Sequence, residues 1–370
     1  MSERRARGAV LLALALVLGG CSSAWRDARQ FLADLAAPVA TDAGTARERV
    51  YYAVGERSYI GDIYRPGGVP QAGVVLVPGV AEQGRDDPRL IDFAHALART
   101  GFLVLVPEIG NLRGFRIRPE DAQVVADAFS HLRRRPELPA DRRGGIVAFS
   151  YAAGPAVLAA MRPELRDGVD FVVAIGGYFD LPLALAYFTT GHVREDGRWS
   201  YRPPSRYGKW VFVLGNLDRL SFPEDRRLLA WVARDRLANG GQVPAGLEQG
   251  LGEEGRAILD LLTNTDPEAV PGLIASLPPA MRGDLESLDL ASKDLSQLRS
   301  HLILVHGIDD DLIPSEQSMA FAAALPRGQA ELYRVDGLSH VDLVPENLDR
   351  WQLLRAIHAL MLQREPRRPR

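Results

Sequence analysis

Ser150 stands at the corner between an apolar run, Ile146-Val147-Ala148-Phe149, and a stretch of small residues, Ala152-Ala153-Gly154. A serine hydroxyl is a weak nucleophile until a neighbouring base takes its proton. A sharp strand-to-helix turn exposes the hydroxyl and requires small residues two before and two after the serine. Ala148 and Ala152 fill those positions. A plain helix N-cap serine fits the same local pattern. Farther along, His306-Gly307-Ile308-Asp309-Asp310-Asp311-Leu312-Ile313-Pro314 follows the apolar run 301–305, and Gly337-Leu338-Ser339-His340 follows the run 330–335. A carboxylate at one strand end can orient a histidine at the next, and that histidine can act as general base toward the serine. Asp310 is the expected acid, by its spacing to His306-Gly307 and to Ile313-Pro314. Asp309 and Asp311 are the alternatives, read as parts of a solvated acidic turn. The run lacks the alternating ligands and glycine of an EF-hand loop, so no metal is expected there. Of the other histidines, His95 and His358 fall on expected helices and His131 near a helix end. His192 lies in a long insertion, and His301 and His306 lie on or at the end of a strand.

Positioning three side chains at strand ends calls for a parallel sheet, and the chain reads as one. Val50–Val54 and Tyr59–Tyr64, around Gly55-Glu56-Arg57, predict an antiparallel hairpin. The runs 73–77, 102–106, 144–149 and 169–175 are short and continuously apolar, as buried parallel strands are. Helices are expected at 88–100, from Pro119 to about 135 and at 152–161, which makes a strict β-α-β alternation. The alternation then breaks. From Tyr178 to Ser300 the chain runs far longer than the dozen or so residues a crossover needs. The segment holds Trp199, Trp210 and Trp231, helical stretches near 224–238 and 253–263, and Gly/Pro breaks. A strand at 301–305, a helix near 315–324, a strand at 330–335 and a helix at 346–362 close the pattern.

The chain order Ser150, Asp310, His340 resembles the serine, acid, histidine order of the α/β-hydrolase superfamily. The likeness covers about residues 50–178 and 300–362 and is nearest to bacterial esterase, lipase and dienelactone-hydrolase-like members. It implies a mostly parallel twisted sheet with helices on both faces. The insertion then reads as a mainly helical cap, either a lid over an acyl pocket or a structural layer. The resemblance also implies an oxyanion hole made by the backbone N–H groups of Tyr151 and Val80, with Pro78-Gly79 where His-Gly is usual. Ala148 and Ala152 depart from the usual pair of glycines. The activity implied is hydrolysis of a small-molecule carboxylic ester through an acyl-enzyme, with no cofactor. The alternatives are a peptidase or amidase on the same three residues, and a non-catalytic lipoprotein that binds a ligand on this scaffold.

The whole chain has 370 residues, 46% hydrophobic and 25% charged, with a formal net charge of −3. That composition excludes a disordered or fibrous protein, and without a long basic stripe nucleic-acid binding is not a main function. Its only cysteine, Cys21, excludes an intrachain disulfide. Arg4, Arg5 and Arg7 precede the apolar run Ala9–Leu18 and then Gly19-Gly20. This is a secretory signal, too short to span a bilayer. Leu18-Gly19-Gly20-Cys21 resembles the bacterial lipoprotein box, which implies acylation of Cys21 and a protein held on a membrane of the cell envelope. The expected organisation is therefore a signal peptide (1–20), a lipid-anchored tether (21–47) that includes an amphipathic piece from Trp25 to Leu35, an α/β core (48–178 and 299–362), a cap (179–298) and a disordered tail (363–370).

Overall fold

The computed structural model describes residues 23–36, 44–340 and 348–366. Cys21, the signal segment and the arginines of 367–370 lie outside them.

Helix α1 (residues 23–36) is followed by the hairpin β1 (Thr45–Val54) and β2 (Arg57–Pro66). Then come β3 (Ala72–Val77), α2 (Pro88–Arg99), β4 (Phe102–Pro107), the single-turn α3 (Gly110–Arg113) and α4 (Asp121–Arg133). The core continues with β5 (Arg143–Phe149), α5 (Ala153–Ala160) and β6 (Phe171–Ile175). The long insertion comprises α6 (Leu181–Thr190), the hairpin β7 (His192–Glu195) and β8 (Arg198–Tyr201), α7 (Arg206–Asn216), α8 (Pro223–Asn239), α9 (Glu253–Thr263), α10 (Val270–Ser276) and α11 (Pro279–Leu288). Finally β9 (His301–Gly307), α12 (Glu316–Ala324), β10 (Ala330–Val335) and α13 (Arg350–Leu362) complete the core.

Eight strands form one sheet in the order β1-β2-β4-β3-β5-β6-β9-β10. Only the pairings of β1 with β2 and of β2 with β4 are antiparallel. Side chains of a strand alternate between its two faces. Val75, Val77, Ile146 and Ala148 join the core cluster of α4 and α5, while Val74, Leu76, Val147 and Phe149 join that of α1, α2 and α13. Both faces are thus covered, as continuously apolar strands require.

The insertion leaves and re-enters the core at one joint. Leu290 and Ala291 donate their N–H groups to the Phe179 carbonyl at 3.1 Å, and Leu181 N–H donates to Asp289 at 2.9 Å. Gln317 from α12 accepts from Phe179 and Asp180 N–H. The β7–β8 hairpin is not among the expected elements. Pro119 belongs to a turn, and the helix expected from it starts at Asp121.

The two ends of the chain differ from expectation. Within the expected tether, 21–47, the amphipathic piece from Trp25 to Leu35 is part of a helix, 23–36, but that helix is docked on the core rather than loose. Ala24, Ala28 and Phe31 are buried, and Phe31 packs edge-on against Phe93 of α2. Arg99 of α2 bonds Asp34 at 2.6 Å. An i, i+4 apolar stripe predicts an amphipathic helix but does not name the surface that receives it. Thr45 and Ala46 already belong to the edge strand β1. At the other end, Gln363 and Arg364 are expected in the tail but are buried, Arg364 being paired with Asp27 at 2.8 Å and Gln363 bonded by Arg143.

Candidate active site

Ser150 follows β5 directly and opens a short 3₁₀ turn, Ser150–Ala152, that leads into α5. Its φ is +55°. A non-glycine residue rarely adopts that conformation, and strain of this kind gathers at functional sites. The neighbours must be small. Ala148 and Ala152 are fully buried, and a Cβ on Gly177, just past β6, would lie 2.6 Å from Ala153 Cβ. Alanine suffices at the two positions where glycine is the commoner choice.

His340 Nε2 lies 2.8 Å from Ser150 Oγ, and His340 Nδ1 lies 2.8 Å from Asp310 Oδ2. A carboxylate only accepts, so Nδ1 carries the ring proton and Nε2 is free to accept from the serine hydroxyl. Asp310 is fully buried, and both of its carboxylate oxygens accept hydrogen bonds. Its Oδ1 accepts from the N–H groups of Leu312 and Ile313 at 2.9 Å each. Burial pushes this carboxyl up, but His306 and His340 together outweigh burial and hold it below its ordinary range. Asp309 and Asp311 are exposed, on the outer side of the turn.

His306 takes part although sequence reasoning set it aside. It is fully buried, with Nε2 2.8 Å from the Ile313 carbonyl and 3.4 Å from Asp310 Oδ2, and Nδ1 2.7 Å from Ser318 Oγ. A carbonyl only accepts, so Nε2 carries the proton and the Ser318 hydroxyl donates to Nδ1. His306 therefore fixes the turn that presents Asp310. The available signal was its place directly before Gly307.

Ser150 and His340 open into a cavity of about 330 Å³. Pro78, Gly79, Val80 and Tyr151 line it on the core side, so the residues expected to supply oxyanion donors border the same space as the Ser150 hydroxyl. The insertion supplies Leu181, Leu185, Phe188, Val211, Phe212, Met281, Leu285 and Leu288. A layer packed at the sheet edge would leave Ser150 open; this one walls it. Leu35 of α1 also lines the cavity, which sequence reasoning did not foresee. The polar lining includes Asp87, Arg89 and Asp92 of α2 and its cap, and Asn216 and Asp284 of the insertion.

Two core residues secure the insertion over the site. Tyr178 Oη donates to the Leu288 carbonyl of α11 at 2.9 Å. Arg118, which is buried, bonds the Gly215 carbonyl at the end of α7 at 2.8 Å and Asp218 at 2.7 Å. Asp121 accepts from Arg118 N–H at 2.8 Å and from Asn111 at 2.9 Å, which holds the loop that carries Arg118.

No family model matches the chain. Among solved structures, a candidate hydrolase from Legionella pneumophila superposes with a TM-score of 0.55 at 12% identity, over 88% of this chain and 90% of that one. A hypothetical protein from Pseudomonas aeruginosa gives 0.50 at 19% identity, over 88% and 96%. An acylaminoacyl peptidase in complex with Z-Gly-Gly-Phe-chloromethyl ketone gives 0.50 at 12% identity, over 88% of this chain; the match spans 43% of the peptidase. With the sheet order and the strand-end site, these likenesses make the fold that of the α/β-hydrolases.

Proposed function

We propose that this protein is a serine hydrolase that cleaves carboxylic esters carrying an apolar group. The observation that carries the reading is the unbroken hydrogen-bond chain from Ser150 through His340 to Asp310, opening into a largely apolar cavity. Ser150 Oγ attacks the ester carbonyl while His340 Nε2 takes its proton, and Asp310 stabilises the imidazolium that forms. The Tyr151 and Val80 N–H groups receive the oxyanion. His340 then protonates the departing alkoxide. A water molecule, deprotonated by the same histidine, releases the acid from Ser150. Apolar walls favour an apolar acyl or alcohol arm, at about 25 cal/mol for each Å² removed from water.

The same reading locates the enzyme on a membrane of a bacterial cell envelope, anchored by acylation of Cys21. The support is the Leu18-Gly19-Gly20-Cys21 sequence behind a signal-like segment. Among the described residues no helix is long and apolar enough to cross a membrane.

The test is labelling of the purified protein by a fluorophosphonate probe, alongside hydrolysis of p-nitrophenyl esters and anilides. Labelling and ester turnover are expected in the wild type and absent in Ser150→Ala. Labelling that survives Ser150→Ala, or a wild type that neither labels nor hydrolyses, rejects the reading. Faster turnover of anilides than of esters rejects its ester part alone.

A further inference from the structure

The packing of α1 against α13 creates a surface that the proposed chemistry does not use. Trp25 of α1 stacks on His358 of α13 at 4.0 Å and 13°, and on Trp351 at 5.6 Å and 5°. The outer ring of this stack, Trp351, is 60% exposed. Residues four apart share a helix face, so Trp25 lies with Arg29 on α1 and Trp351 lies with Arg355 on α13. Arg26, Arg29, Arg350 and Arg355 are all exposed.

Of the acids of α1, Asp34 is buried under Arg99, and Asp27 is bonded by Arg364 at 2.8 Å and meets Arg26 at 3.6 Å, so the outward charge rests on Arg29, Arg350 and Arg355. Near Arg355, Glu331 is engaged by His301 and Tyr333, and Asp349 is turned to cap α13. The Arg364–Asp27 pair also brings the last described turn of the chain to the first turn of α1. From there the sequence continues to Arg367, Arg368 and Arg370, while on the other side Cys21 precedes α1 by two residues.

We propose that the α1/α13 face is a contact for an anionic bilayer surface. Tryptophan suits that boundary, because an apolar ring with one polar edge is at home between headgroups and acyl chains. Exposed arginines around it are attracted to anionic headgroups over about a Debye length. Leu35 of the cavity wall lies ten residues along α1 from Trp25, about 15 Å at 1.5 Å per residue. The face therefore brings the cavity within one helix length of the lipid. This inference concerns how the protein lies on a membrane and stands whether or not the cavity hydrolyses esters.

The experiment is quenching of tryptophan fluorescence in the full-length protein by vesicles of phosphatidylglycerol and phosphatidylcholine with brominated acyl chains. The wild type is expected to lose emission on brominated vesicles relative to unbrominated ones. Most of that loss should vanish in the double variant Trp25→Phe/Trp351→Phe and persist in Trp231→Phe, an exposed tryptophan of α8. It should also fall severalfold when phosphatidylglycerol is omitted or the salt is raised. Trp25→Phe and Trp351→Phe keep an aromatic ring at each position, and near-UV circular dichroism with ester turnover monitors their folding. Quenching that is absent in the wild type, or that survives the double variant, overturns the proposal. So does a dimer in sedimentation analysis that dissociates on Trp351→Ala, which assigns the face to a second copy of the chain.

Discussion

The carbonyl oxygen of Leu338 occupies the space where Gly307 would carry a side chain: a Cβ there would sit 1.8 Å from it. Gly307 ends β9, in front of the turn that presents Asp310, and Leu338 lies two residues before His340. Asp310 and His340 are therefore aligned by two backbones that touch. Gly307→Ala must push the 338–340 segment away from β9. Overpacking of this kind costs about 1–3 kcal/mol, and displacing His340 by an ångström costs about 10²-fold in rate. We expect kcat to fall by about that factor with a modest loss of Tm. Unchanged turnover would mean that the loop position does not matter.

Asp310 and its neighbours separate cleanly by mutation. Asp310→Asn is expected to lower ester turnover by about 10⁴-fold at neutral pH, because the amide no longer stabilises the imidazolium and favours the wrong tautomer. Asp309→Asn, on the exposed side of the turn, should leave turnover within a few fold. Steady-state kinetics of the two variants decides; the reverse order would assign the acid to Asp309.

His306→Ala tests the support beneath the acid. It removes a donor beside Asp310 and strips the Ile313 carbonyl and the Ser318 hydroxyl of their partner, a loss of about 1–3 kcal/mol for buried groups left unpaired. With one fewer donor, the folded-state pKa of Asp310 moves up toward its unfolded value. The stability from its depressed pKa is present above the unfolded pKa and lost as pH falls, so less of it remains in the variant. Acid unfolding followed by circular dichroism should therefore begin at a higher pH than in the wild type.

The strands and the serine corner were legible because each depends on residues adjacent in the chain. A continuous apolar run such as Ile146–Phe149 admits few readings but a buried strand, and the order Ser150, Asp310, His340 follows the order of the strands that carry them. What was missed depends on contacts across the chain. The bond from His306 to Ile313 exists only because the 310–313 turn folds back under its own strand. The docking of α1 depends on Phe93 and Arg99, more than sixty positions away. The β7–β8 hairpin did carry a local signal, Asp196-Gly197 with φ of +47° and +77°, a pair suited to a tight hairpin turn. Its strands are only four residues each, too short for alternation to stand out.

Asp121 ties the insertion to pH. Burial pushes its carboxyl up to about 6, against the opposing bonds from Arg118 N–H and Asn111. A carboxyl whose folded pKa exceeds its unfolded value, near 4, binds protons more tightly when folded. It therefore costs stability as pH rises from about 4 through 6. Asp121→Asn should remove that slope, so the variant gains on the wild type across this window, by about 3 kcal/mol at 1.36 kcal/mol for each pKa unit. Urea unfolding of both proteins at pH 4, 5, 6 and 7 measures it. A difference that does not change with pH would refute the assignment.

The cavity makes a prediction about chain length. Leu185 of α6 is nearly inaccessible from outside yet lines the space that Ser150 faces. Filling the cavity there with Leu185→Trp leaves Ser150, His340 and Asp310 untouched. It shortens the apolar arm that fits. Each methylene kept in water forfeits about 0.8 kcal/mol, close to fourfold in kcat/KM. For p-nitrophenyl esters of increasing acyl length, the wild type should gain about fourfold per methylene until the cavity is full, and Leu185→Trp should reach its plateau several methylenes earlier. The acetyl ester should be turned over equally by both. If the two length profiles coincide, the arm does not occupy the space beneath α6, and the insertion does not select substrates by their apolar length.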